Sequence, residues 1–90
     1  MEEQLLRIIN HYGLNNQQRK LAEEVFELQE SMTKYEYSPI ADKYDIEEEL
    51  ADVMVMLEQF RLYYDIPSMT ITEIMQQKIE RQLKRIEEGK

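Results

Sequence analysis

The sequence predicts an all-α protein, a single antiparallel bundle of about four helices spanning residues 1–90, that associates with copies of itself. Three observations lead there. Strand-type alternation is weak, and only two glycines and two prolines interrupt the 90 residues, so helical periodicity dominates. Apolar residues recur at helical spacing in four segments parted by Gly13, Pro39 and Pro67. There is no cysteine, and so short a chain buries a modest share of its surface, which leaves association as the route to stability.

Each element follows from its residues. Leu5, Leu6, Ile8, Ile9 and Tyr12 give a short amphipathic helix over the first dozen residues, ended by Gly13, with Asn15 or Asn16 available to cap the next. The second helix runs from about Asn16 to Tyr37, with Leu21, Val25, Leu28, Met32 and Tyr35 as its expected buried stripe. Pro39 breaks the following connection. Asp45, with Glu48 three residues on, marks the start of a third helix that extends to about Tyr64. At about 100° per residue, Leu50, Val53, Met54, Leu57, Phe60 and Tyr64 share one face of it. The run from Val53 to Leu57 is apolar nearly all round, so one side is expected to meet the hairpin partner and the other a second subunit. Thr70 with Glu73 signals the last helix. It carries Ile71, Ile74, Met75, Ile79, Leu83 and Ile86, together with the basic Lys78, Arg81, Lys84 and Arg85.

The net charge of −8 argues against broad nucleic-acid binding, which calls for a basic footprint. It fits a protein that meets anionic ligands through a metal ion. Met1-Glu2-Glu3-Gln4 is acidic and unlike a signal peptide, and nothing approaches a membrane span. The expectation is a soluble cytoplasmic protein with no nucleic-acid or membrane partner. His11 is the only histidine, which disfavours zinc and the Glu-x-x-His pairs of di-iron bundles.

The acids of the two long helices carry the chemistry. Glu49 falls inside the apolar face of the third helix and Asp52 at its edge, where an unpaired carboxylate is costly. Glu24 with Glu27, and Glu49 with Asp52, are each spaced three apart, so each pair faces one way. An antiparallel hairpin lets all four converge. Two carboxylates about 4 Å apart repel by roughly 4 kcal/mol at an effective dielectric of 20, so such a group calls for a cation. All-oxygen ligands favour Mg²⁺, with Mn²⁺ as the near alternative, and Mg²⁺ commonly completes its shell with substrate phosphates. The spacing therefore points to phosphate-ester or phosphoanhydride chemistry.

Glu23-Glu24-Val25-Phe26-Glu27, followed by Glu48-Glu49-Leu50-Ala51-Asp52, resembles the paired Glu-Glu-x-x-Glu and Glu-Glu-x-x-Asp motifs of the MazG-like all-α nucleotide pyrophosphohydrolases. Tyr12-Gly13 with Gln17, and Lys78-Ile79-Glu80-Arg81, extend the resemblance to a compact version found in bacteriophages and Gram-positive bacteria. The resemblance implies Mg²⁺-dependent cleavage of a nucleoside triphosphate between its α and β phosphates. It implies Glu24, Glu27, Glu49 and Asp52 as metal ligands, with Glu23 or Glu48 helping to orient or deprotonate the attacking water.

Within that resemblance Lys78 and Arg81, and more weakly Lys20, are candidates for gripping phosphates; each is also an ordinary solvated helix position. Gln17 can read a base edge, and Tyr12, Phe26, Phe60 or Tyr63 can stack on a base, although aromatic residues at helical spacing also serve as core. No nucleobase is selected by these residues. Two rivals stand beside this reading: a phosphoribosyl-ATP pyrophosphatase-like enzyme, and a non-catalytic acidic interaction module or DNA mimic. The inward placement of Glu49 and Asp52 disfavours a mimic.

Overall fold

The computed structural model describes residues 1–89. It contains four helices, α1 (Glu2–Tyr12), α2 (Leu14–Tyr37), α3 (Lys43–Tyr63) and α4 (Ser68–Glu87), and no strand among the described residues. The expected all-α architecture is present. α2 and α3 are the principal packing pair, and α1 lies across them, mainly against α3. Gln17 meets Gln59, while Glu24 meets Asp52 two turns further along, so α2 and α3 run antiparallel.

Gly13 ends α1 as the sequence suggested, but the starts of α2, α3 and α4 are set by different devices from those expected. Gly13 sits between α1 and α2 at φ 92°, ψ 150°, a conformation essentially restricted to glycine. That lets α2 begin at Leu14, ahead of both asparagines. Asn16 instead donates from Nδ2 to the Tyr12 carbonyl at 2.8 Å. Asp42, rather than Asp45, caps α3 by accepting from the Tyr44 amide at 2.9 Å. Pro67 leads into α4 with no side-chain cap, leaving Thr70 within the helix. α3 ends in a Schellman motif: Asp65 adopts φ 55°, its N–H reaches the Leu62 carbonyl, and the Ile66 N–H reaches the Arg61 carbonyl.

The core is small and partly polar. Leu5 and Ile9 of α1 and Val53 and Met56 of α3 are its fully buried apolar side chains, joined by Gln17, Glu24 and Gln59. On α2 the expected apolar stripe is off-centre: Leu21 and Leu28 are half-buried, while Val25, Met32 and Tyr35 remain exposed. Of the expected α3 face, Val53 is buried and Phe60 half-buried, whereas Leu50, Met54, Leu57 and Tyr64 are open. The centre of the α2–α3 seam is instead the line Gln17, Glu24, Asp52, Met56, Gln59. α4 accounts for the rest of the openness, because it packs on no other helix beyond marginal contact and buries no residue. The radius of gyration is 16.4 Å, against about 12 Å for a compact chain of this length.

Candidate metal centre

Three carboxylates converge where α2 and α3 cross. Glu24 comes from α2, and Glu49 and Asp52 come from successive turns of α3. One oxygen from each lies within 4.8 Å of the others. Glu24 is only 6 % exposed. One oxygen of Glu24 (Oε2) and one of Glu49 (Oε2) are fully enclosed with no hydrogen-bond partner. Orphaned, enclosed carboxylate oxygens carry a desolvation penalty.

The arrangement fits a hard divalent cation. Mg²⁺ takes oxygens at about 2.1 Å, placing ligand oxygens about 3 to 4 Å apart, so closure around an ion needs only small side-chain movements. Among the described residues the group offers carboxylate oxygens alone, with no nitrogen or sulfur ligand.

Electrostatics record the same crowding. Burial, followed by the charges of Glu27, Asp52 and Glu24, pushes the Glu49 carboxyl above its usual value of 4.5. The charge of Glu27 acts on Glu49, so Glu27 flanks the three-carboxylate group at the Glu49 side without being one of the three. Across the opening, Lys20 Nζ stands 3.2 Å from Glu24 and 3.9 Å from Glu23. Its hydrogen bond to Glu24 holds the ammonium above its ordinary pKa.

Two of the acids, Glu24 and Asp52, open onto a cleft of about 560 Å³ between α1, α2 and α3, within the size range of small-molecule sites. Tyr12, Gln17, Lys20, Glu24 and Asp52 all line it. Four residues singled out from the sequence for phosphate, base or metal are thus brought beside one another, along with the base candidate Tyr12, whose ring meets His11 edge-on at 4.8 Å.

Other expected residues stand apart. Glu23 and Glu48 are exposed, the first beside Lys20 and the second within 3.5 Å of the Tyr44 hydroxyl. Lys78 and Arg81 are exposed on α4 and line no part of the cleft. Phe26 borders a separate groove on α2, and Phe60 lines an apolar groove between α3 and α4. No helix among the described residues is long and apolar enough to cross a membrane.

No family model, curated protein or solved structure matches this chain.

Sequence reasoning missed Gln59. It is 2 % exposed and accepts a 2.8 Å hydrogen bond at Oε1 from Gln17 Nε2. A signal was available: Gln59 lies seven residues beyond Asp52 and three beyond Met56, hence on the face of α3 that carries the acids.

Proposed function

We propose that this chain is a Mg²⁺-dependent nucleoside triphosphate pyrophosphohydrolase, converting (d)NTP to (d)NMP and pyrophosphate in the cytoplasm as a dimer or tetramer. One observation carries the reading. Glu24, turned inward with an enclosed and unpartnered oxygen, faces Glu49 and Asp52 at the head of a nucleotide-sized cleft. A DNA mimic would spread its acids over an outer surface, which gives no reason to bury Glu24.

Mg²⁺, when bound, supplies positive charge against phosphate oxygens and acidifies water towards neutral pH. Glu24, Glu49 and Asp52 hold it, and Glu27 adds negative charge at the Glu49 side. Glu23 and Glu48, both exposed and outside the cleft lining, are the groups proposed to orient the attacking water and take up its proton. That water's oxygen bonds to the α-phosphorus while the bond to the α–β bridging oxygen breaks. Lys20 already stands at the cleft and meets the polyphosphate there. Lys78 and Arg81 serve the same anion only in an assembly that brings an α4 beside the acids. Gln17 and Tyr12 receive the base at the other end of the cleft.

The test is a panel of ribo- and deoxyribonucleoside triphosphates with Mg²⁺, followed by pyrophosphate release. Turnover of at least one nucleotide, stopped by EDTA, is expected. Glu24→Gln keeps shape but removes a ligand charge, and should lower kcat/KM by about a hundredfold or more with an unchanged helical circular dichroism spectrum. No turnover of any nucleotide, together with no divalent-ion binding by calorimetry, overturns the reading.

A further inference from the structure

Gln17 and Gln59 form a paired set of carboxamides at the end of the cleft away from the acids, and both are almost wholly buried, at 6 % and 2 % exposed. Burying two amides where apolar side chains would pack is unfavourable unless each polar atom is satisfied. Three of the four atoms are. Gln17 Nε2 donates to Gln59 Oε1 at 2.8 Å. Gln17 Nε2 and Gln59 Nε2 also point at the Met56 sulfur, at 3.9 and 3.8 Å.

The sulfur fixes which way both amides face. A thioether accepts weakly and cannot donate, so the nitrogens belong on its side, and turning either amide over would set a carbonyl oxygen against sulfur. The fourth atom, Gln17 Oε1, has no hydrogen-bond partner among the described residues. It is also not fully enclosed, since among the described residues the only enclosed side-chain oxygens or nitrogens lacking a partner are those of Glu24 and Glu49. Gln17 lines the cleft, which gives that oxygen a route to a ligand bound there.

We propose that Gln59 is a positioning residue: it locks the Gln17 amide so that the cleft presents a hydrogen-bond acceptor to an N–H on the edge of the bound nucleobase. This rests on the nucleotide reading above. In register with the acids seven residues away on each helix, the pair would set where the base ends and the phosphates begin. Gln17 is the group that touches the ligand, and Gln59 acts through it.

The experiment compares wild type with Gln59→Met, which keeps volume but removes the acceptor that holds Gln17 Nε2. Across the triphosphate panel, KM should rise about tenfold, the loss expected for one misdirected hydrogen bond. kcat should stay within about twofold, and preference among bases should flatten. A variant whose KM and base preference are unchanged, or one that loses kcat equally for all bases in step with lost thermal stability, overturns the proposal. An arm independent of catalysis follows the Gln17 side-chain amide by ¹⁵N–¹H NMR as nucleoside monophosphates are added without metal. The Gln17 amide signal should shift in wild type, and much less in Gln59→Met. If wild type hydrolyses nucleotides but no monophosphate moves that signal, the role of Gln59 fails while the enzyme reading stands. If it hydrolyses none yet the signal moves, the enzyme reading fails and the base-edge contact survives.

Discussion

At the scale of single residues, Glu49 is the group whose situation is most at odds with an ordinary helical surface. Its carboxyl is raised by burial first and then by Glu27, Asp52 and Glu24. The folded protein therefore holds the Glu49 proton more tightly than the unfolded chain does. The sign follows: protonated Glu49 favours the fold, and this contribution is lost as pH rises from about 4.5 through the raised folded value. In EDTA, the urea midpoint of Glu49→Gln relative to wild type should therefore move in the variant's favour with rising pH across that window. Millimolar Mg²⁺ should narrow the gap, because an ion that binds only the folded state of wild type stabilises it by mass action. A gap that shrinks with rising pH in EDTA would contradict the crowding described at the site.

At the scale of elements, the four helices and their turns were legible in the sequence because periodicity and the glycine and proline breaks act locally. The helix ends were less so, since several residues at each junction can cap and tertiary packing chooses among them. Gly13 illustrates what decides: at φ 92° and ψ 150° it joins α1 to α2 within one residue, and no heavy atom would meet an added Cβ within 4 Å. Gly13→Ala should thus destabilise through backbone strain alone, by about 1–3 kcal/mol, read as a fall in urea midpoint with an unchanged slope. A neutral result would mean that α1 is not held in this geometry.

The convergence of Glu24, Glu49 and Asp52, a group that could hold a metal ion, was legible for a physical reason as well, because a carboxylate three or four residues from apolar neighbours on one face has nowhere neutral to go. The polar centre of the seam was not. Periodicity counts apolar side chains: the α3 face could flag Gln59, but its pairing with Gln17 across two helices is a relation no single-helix pattern contains.

At the scale of the whole molecule, the unpartnered helix α4 governs. Residues 1–67 carry six Lys and Arg against fifteen Asp and Glu, whereas residues 68–90 carry five against four. An acidic body thus adjoins a slightly basic helix. That helix presents Ile71, Ile74, Met75, Ile79, Leu83 and Ile86 to solvent, each at least 37 % exposed. Beside its start, Met54, Leu57, Phe60 and Tyr64 line an apolar groove with Ile71 and Met75. A stripe of this length exceeds what single surface residues explain and marks an interaction face. We propose a second copy as the partner, because its own acidic body and open α3 face would complement both the apolar stripe and the charge of α4.

Sedimentation equilibrium should accordingly find a dimer or tetramer at micromolar concentration. Ile79→Glu, at the centre of α4 and remote from the acids in sequence, should shift the population to monomer, since placing a charge where an apolar side chain is buried costs on the order of 2 kcal/mol or more at each symmetric contact. The monomeric variant should keep its helical circular dichroism and its divalent-ion binding, because Glu24, Glu49 and Asp52 converge within one chain. Its turnover should fall if Lys78 and Arg81 act from a neighbouring α4, and should persist if Lys20 alone serves the phosphates. A wild-type protein that sediments as a monomer would remove α4 from the site altogether and leave its apolar stripe to a partner other than this chain.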